Sequence, residues 1–402
     1  LIVLLYIIFS VYGKLISVEK PFLLLTASKK ENKIIASGCG DELIYGGGEV
    51  TMESNKGNEG KPVTIYDIAK EANVSAATVS RVLTNSTNVR SDKKERILTL
   101  MEKYNFRPNA MARGLVDTKS KTIGIMVADI RNPFYSEAFV ACEAAARNYG
   151  YTVLLCNSYC DKEQEQILLE KLAEKRVDAV IQMGGRADEN VTNKDYAEYV
   201  NRMIQNIPML VTGKLDGTDC YRVQIDAAQS MEIIMDYLDS LGHEKIAFIG
   251  GSSGDMASFQ KEEVYRRKLG EWGISLPPGL YRREGNYDYQ TGYTAMSAIF
   301  EEGGEPSAVI AINETTASGV MASIRERGFE IPGDISLVSY DNTFMADVIT
   351  PRLTSVDYDY GEFGERLIRT VMAVIEGKEV PRIQYVKTRL VVRETTGKAK
   401  GK

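Results

Sequence analysis

Residues 63–83 read VTIYDIAKEANVSAATVSRVL, a stretch in which two short amphipathic helices can be recognised. Thr64 has Asp67 three residues on, close to the reciprocal capping arrangement that starts many helices. Ile65, Ile68, Ala69 and Ala72 follow at helical spacing and make one apolar face. Asn73 and Val74 break the pattern, and Ser75 can cap a second helix in which Val79, Val82 and Leu83 face inward. Ala76, Ala77, Thr78, Ser80 and Arg81 then crowd its N-terminal and outer side. Two helices joined by a tight turn, the second small and polar at its start, are how a helix-turn-helix enters a major groove. Small side chains let the backbone approach base edges, Arg81 can grip a guanine bidentately, and the hydroxyls suit phosphates or bases. A third amphipathic helix is expected from about Ser91 to Tyr104, with Ile97, Leu98 and Met101 closing a three-helix core.

The charge distribution supports a polyanion-binding head. The 402-residue chain carries a formal charge of −6, which alone argues against nucleic acid. Residues 61–121, however, hold 12 Lys+Arg against 6 Asp+Glu, while residues 1–60 come to −1 and residues 122–402 to −11. A small basic module on a large acidic body implies two jobs in one chain. The length exceeds one ordinary core, so several domains are expected.

The front of the chain is unlike the rest. LIVLLYIIFSVYG opens it as an apolar run with no basic flank, and Gly13 and Lys14 interrupt it short of the ~20 residues of a membrane span. It could serve as a signal peptide, but Met52 begins a polar leader directly before the first patterned helix. The expectation is that residues 1–51 are a non-native or disordered upstream extension and 52–62 a flexible leader, with translation starting at Met52.

Chemistry is sparse. Five scattered cysteines (Cys39, Cys142, Cys156, Cys160, Cys220) without a neighbouring histidine make neither a zinc site nor a disulfide framework, and reduced thiols in the cytoplasm are the expectation. His243 is the sole histidine, which removes most Ser-His-Asp and Cys-His schemes; no enzyme, metal or cofactor is expected. The glycine-rich turns lack a Walker lysine or a dinucleotide fingerprint.

After DTKSK, residues 117–121, apolar strands such as TIGIMVAD, DAVIQMG, KIAFIGG and ISLVSYD alternate with helical stretches. Alternating β and α units give parallel sheets covered by helices. There are too many strands for one small sheet, so two doubly wound lobes with a cleft at the strands' carboxyl ends are expected.

TIYDIAKEANVSAATVSRVLTNS, followed by VRSDKKERILTLMEKYNFRPNAMARGL, closely resembles the head of the lactose-repressor/galactose-repressor (LacI/GalR) family of bacterial transcription regulators. The resemblance extends through the body to about Thr395, and it implies the two-lobed fold of periplasmic sugar-binding proteins. Its domains would be a helix-turn-helix head (63–108), a hinge helix and linker (109–121), a two-lobed effector-binding and dimerisation body (122–395) and a disordered tail (396–402). It makes Thr64, Ser75, Ala76, Ala77, Thr78, Ser80 and Arg81 the head's DNA contacts. Asn109, Ala112, Arg113 and Leu115 would be those of the hinge, Leu115 being the wedge that enters the minor groove.

In the body, Asn132, Phe134 and Tyr135 match first-lobe positions near the effector. Lys261 matches a usual arginine, Tyr287 a stacking aromatic, Asn313 and Glu314 a usual Asn-Asp pair, and Asp341 an acid that takes ligand hydroxyls. Lys261 and Glu314 depart from the family pattern and change reach and geometry. Asp226 falls at another strand end. The implied function is a repressor of carbohydrate metabolism that binds a pseudo-palindromic operator as a homodimer and answers to a sugar or sugar acid. The chain's end lacks the leucine heptads of a tetramerising helix. Control by a phosphorylated partner protein or a purine, or an exported sugar receptor, are the alternatives.

Overall fold

The computed structural model describes residues 24–28, 33–38, 41–46, 63–83, 89–106, 119–275, 279–282 and 285–400. It divides into two compact units, residues 1–109 and 110–402.

In the first unit, β1 (Leu24–Ser28), β2 (Lys33–Gly38) and β3 (Asp41–Gly46) pair antiparallel in that order. Three helices follow: α1 (Ile65–Glu71), α2 (Ala76–Leu83) and α3 (Ser91–Lys103). The expected reciprocal cap is present at α1. The Asp67 carboxylate accepts from the Thr64 N–H at 2.8 Å, and the Thr64 hydroxyl accepts from the Asp67 N–H. Asn73, at φ +53°, makes the turn, a conformation that asparagine tolerates better than most residues.

Ile68, Ala69, Ala72, Val79, Val82, Ile97 and Met101 form the buried core of these helices. The expectation for Leu98 fails: it is 45% exposed, and Leu100 packs against the core in its place. On a helix, Ile97 and Met101 share a face one turn apart, with Leu100 beside them, whereas Leu98 points about 100° away. Glu71 ties the first helix to the third, taking bonds from Lys103 Nζ at 2.8 Å and the Tyr104 hydroxyl at 2.7 Å.

The second unit holds two six-stranded sheets. The first is ordered β14-β8-β7-β6-β4-β5 and is parallel throughout. Its strands are β4 (Thr122–Val127), β5 (Thr152–Asn157), β6 (Ala179–Met183), β7 (Met209–Val211), β8 (Tyr221–Ile225) and β14 (Ile383–Val386). Helices α4 (Pro133–Asn148), α5 (Lys162–Glu174), α6 (Lys194–Met203) and α12 (Tyr360–Ile375) belong to this lobe.

The second sheet is ordered β10-β9-β11-β12-β13-β15, parallel except where β15 pairs with β13. Its strands are β9 (Ile246–Ile249), β10 (Tyr281–Arg282), β11 (Ala308–Ala311), β12 (Ser336–Tyr340), β13 (Thr354–Asp357) and β15 (Arg389–Val391). Helices α7 (Ala227–Ser240), α8 (Met256–Glu271), α9 (Tyr289–Glu301), α10 (Glu314–Glu326) and the short α11 (Met345–Val348) complete it.

The central strands β9 and β11 are buried on both faces, which is why they read as unbroken apolar runs. Because α12 returns to the first lobe and β15 to the second, the chain passes between the lobes repeatedly.

Residues 396–400, expected to be part of a disordered tail, are held against the second lobe. Leu337 and Thr395 exchange bonds at 2.8 and 2.7 Å, the Gly397 N–H donates to Ser336 Oγ, and the Ala399 N–H donates to the Leu241 carbonyl. Lys400 pairs with Asp334. Composition misses this because the tail is held through its backbone, against the edge of an existing lobe. Among the described residues no helix is long and apolar enough to cross a membrane.

Candidate functional site

Two places gather the candidate residues. On the head, Ser75 starts α2: its hydroxyl accepts from the Thr78 N–H and lies 2.9 Å from the Thr78 hydroxyl. Val79 and Val82 point inward, while Ala77 and Arg81 are exposed and Ala76, Thr78 and Ser80 are half-buried. The helix thus presents a small, hydroxyl-rich start and a cation on its outer side, as a major-groove reader requires. Thr64 serves as the cap of α1. The hinge candidates Asn109, Ala112, Arg113 and Leu115 lie outside the described residues.

In the body, Glu314, Asp341 and Tyr287 follow strand ends, and Lys261 reaches Asp341 from within α8. The Lys261 side chain is nearly buried, with Nζ 3.7 Å from the centre of the Tyr340 ring. Burial pushes its pKa down, opposed by the nearby carboxylates of Asp341 and Asp255. Burial also raises Asp341, which Lys261 and the Tyr358 hydroxyl pull back. Asp341 holds φ +88° and Asn342 +47°, so two successive non-glycine residues occupy left-handed backbone. Strain of this kind persists where surrounding contacts impose it, and here the Tyr360 hydroxyl donates to the Asp341 carbonyl at 2.9 Å.

Glu314 is buried and accepts from the Thr343 N–H at 3.0 Å and the Ser355 hydroxyl at 3.1 Å. Burial and the Asp341 charge push its pKa up. Asp341 and Asp255 thus face one buried ammonium, and Glu314 lies on the far side of Asp341.

Tyr287 lies at the other end of this wall. Its hydroxyl is 3.0 Å from Ser258 Oγ and is raised by burial and by the charges of Asp255 and Asp188. From the first lobe, Tyr135 meets the same group of charges, Asp188 and Asp255, together with Tyr287. Phe134 packs edge-on against Tyr135 and Tyr358 and near Tyr360, so it forms an aromatic floor between the lobes.

Two candidates are occupied by local structure. Asn132 caps α4, accepting from the Phe134 N–H, and Asn313 caps α10, accepting from the Thr316 N–H at 2.8 Å. Asn313 also donates to the Tyr287 carbonyl at 3.1 Å, so it fixes the aromatic's backbone. Asp226 likewise caps α7.

The structure adds Asp188, Asp255, Ser258, Tyr358 and Tyr360, which the sequence did not single out. Asp255 had a signal, a carboxylate three residues before Ser258, whose N–H it caps at 2.6 Å. Asp188 had none. It is placed by a one-turn 3-10 helix (Gly185–Asp188), next to Gly213, where a side chain would collide with the Ala187 carbonyl and the Asp188 carboxylate.

The lobes touch across the mouth of the cleft. The Asn190 N–H donates to the Gly254 carbonyl at 2.8 Å, and Glu189 and Asp255 form a backbone bridge. Between the lobes, then, lie an aromatic floor and a set of carboxyl and hydroxyl groups contributed by both sides.

Comparison with known proteins identifies both parts of the chain. Residues 64–109 match the family described as bacterial regulatory proteins, lacI family, and residues 235–396 match a periplasmic binding protein-like domain. Catabolite control protein A of Priestia megaterium is 35% identical over 317 residues, spanning 77% of this chain and 92% of that protein. Its counterpart in Staphylococcus epidermidis is 32% identical over 315 residues, with the same shares covered. Among solved structures, the lac repressor dimer bound to operator and an anti-inducer superimposes with a TM-score of 0.75 at 26% identity, covering 84% of this chain and all of that one. A capped helix-turn-helix, a two-lobed body and relatives that align along nearly their whole length lead to one conclusion: the chain belongs to the lacI family of bacterial regulatory proteins and is a DNA-binding transcriptional regulator.

Proposed function

We propose that this regulator is a cytoplasmic repressor of carbohydrate metabolism. It would bind a pseudo-palindromic operator as a homodimer and respond to a neutral, polyhydroxylated small molecule held between the lobes, with no catalysis of its own. Operator contacts would come from Ser75, Ala76, Ala77, Thr78, Ser80 and Arg81, with the hinge residues Asn109, Ala112, Arg113 and Leu115 inserted beside them.

The observation that carries the effector reading is the setting of Lys261. Its charge already faces Asp341 and Asp255, and Glu314 and Asp188 add further carboxyls around the same cleft. A sugar acid would add a further carboxylate to acids that burial and mutual repulsion already push towards their protonated form, whereas a neutral sugar can hydrogen-bond to those carboxyls in either state. Its apolar faces would lie on Tyr287, Tyr135 and Phe134. Names among the relatives, catabolite control protein above all, support a role in carbohydrate use.

The test is a thermal-shift screen of the chain against neutral sugars, uronates, sugar phosphates and purines, repeated with Asp341→Asn. A ligand at a hundred times its Kd stabilises the fold by about 2.7 kcal/mol. The expected result is a hit among neutral sugars, lost in the variant, that changes the protein's affinity for operator DNA. A uronate as the sole hit would overturn the charge argument. Silence across all classes would move control to a partner protein.

A further inference from the structure

Outside the cleft, on the flank of the first lobe, α5, the Gly185–Asp188 turn and α6 border a half-open cavity of about 400 Å³. Lys162, Arg186 and Arg202 line it together with Tyr196 and Tyr199, and Asp195 is the one carboxylate among its lining residues. The two tyrosine rings stack at 6.3 Å with an interplanar angle of 18°.

Arg186 is the centre of this cavity. Its guanidinium lies 4.3 Å from the centre of the Tyr196 ring, and Nη2 donates to the Lys162 carbonyl at 2.9 Å. Its Nε is buried without a hydrogen-bond partner, 4.0 Å from the nearer Glu165 oxygen. Glu165 lies beneath it, fully buried, and burial pushes its carboxyl up to about 7. Near neutral pH that carboxyl is therefore partly protonated and answers the guanidinium incompletely. Lys162 is held by Glu189 at 2.6 Å, a partly exposed pair that a stronger anion can displace.

The same turn faces two ways. Arg186 points to the flank cavity. One residue on, the Ala187 carbonyl accepts from the Lys214 N–H, and Asp188 belongs to the cleft. Glu189 and Asn190 then make the bridges to Asp255 and Gly254 of the other lobe.

We propose that this cavity is a second small-molecule site, selective for a phosphomonoester with a sugar-sized ring, whose occupancy is transmitted to the cleft through residues 185–190. The phosphate would sit among Lys162, Arg186 and Arg202, where planar guanidinium groups and an ammonium supply charge-assisted donors. The ring would lie along Tyr199. A volume of this size falls at the small end of ligand pockets and fits one such molecule. By competing for Lys162, the phosphate frees Glu189 and loosens the bridge its neighbours make to the second lobe.

The experiment uses the full chain and titrates inorganic phosphate, a hexose 6-phosphate and the unphosphorylated hexose calorimetrically. The proteins compared are wild type, Arg202→Ala, Lys162→Gln and the cleft variant Asp341→Asn. Hydrogen exchange at residues 184–190 and 251–256 is followed in parallel. The hexose phosphate is expected to bind wild type and Asp341→Asn alike, and about tenfold more weakly when either cation is removed. Faster exchange of the Asn190 amide on binding is also expected. Absence of hexose phosphate binding would overturn the site. So would binding lost in Asp341→Asn yet unchanged in Arg202→Ala, because it places the ligand in the cleft. Binding at the cavity with unaltered exchange would overturn the coupling.

Discussion

The Lys261 ammonium lies 3.7 Å from the centre of the Tyr340 ring, inside the cleft wall, with Asp341 on the residue that follows the tyrosine. The ring face and two carboxylates share one desolvated cation. Lys261→Met therefore leaves Asp341 and Glu314 facing each other without it. Proton uptake by these acids limits the cost, so a loss of about 1–3 kcal/mol is expected in urea unfolding. Lys261→Met combined with Asp341→Asn should recover part of that loss. Strictly additive effects of the two substitutions would show that the charges are not coupled.

Thr64 and Asp67 cap each other at the start of the first head helix. Thr64→Ala removes the hydroxyl that accepts from the Asp67 N–H and should cost the head about 1 kcal/mol. The check is the head's own unfolding transition by circular dichroism, with DNA affinity falling in proportion to the unfolded fraction. A loss of affinity without any loss of helix stability would make Thr64 a direct DNA contact.

Arg81 stands on the outer side of the second head helix. Arg81→Ala should lower specific binding by about 1–3 kcal/mol and relax preference at one base position. Selection of binding sites from a random DNA library with both proteins reads this directly. A uniform weakening with unchanged preference would assign the residue to phosphate contact.

His243 is buried in the second lobe, with Nε2 3.0 Å from the Gly397 carbonyl and Nδ1 3.0 Å from the Ser307 hydroxyl. A carbonyl can only accept, so Nε2 carries a proton. Burial lowers its pKa below 6.5 despite the Gly397 bond. Below pH 6.5 the unfolded chain then binds a proton that the folded one refuses, so this residue's contribution to stability is lost as pH falls. The expected signature is a steeper fall in melting temperature from pH 7 to 5 in wild type than in His243→Gln. Parallel curves would exclude the histidine as the cause.

Helices α9 and α10 approach through glycines. A Cβ at Gly319 would collide with the Tyr289 carbonyl, and one at Gly292 with the Thr316 carbonyl. Both obstacles are backbone and cannot rotate aside, so Gly319→Ala should force the helices apart and cost about 1–3 kcal/mol. Because Asn313 at the start of α10 holds the Tyr287 carbonyl, the same substitution should weaken effector binding. Wild-type stability and ligand affinity in Gly319→Ala would refute the close approach.

The sequence alone determined what is written in local pattern. The cap at Thr64, the turn at Asn73, the inward Val79 and Val82, and the alternation of strands and helices in the body are all short-range properties, set by side-chain periodicity and backbone preference. So was the family resemblance, carried by contiguous motifs. Tertiary structure decided what depends on residues far apart in the chain. Leu98 turned outward because the angular position of the partner helices chose Leu100. The tail is held because its backbone meets Ser336 and Leu241. Asn132 and Asn313 proved to be caps, whereas Asp188 and Asp255, 67 positions apart, share one electrostatic site across the lobes. Burial and charge proximity set the chemistry of that site, and neither exists until the lobes have folded and met.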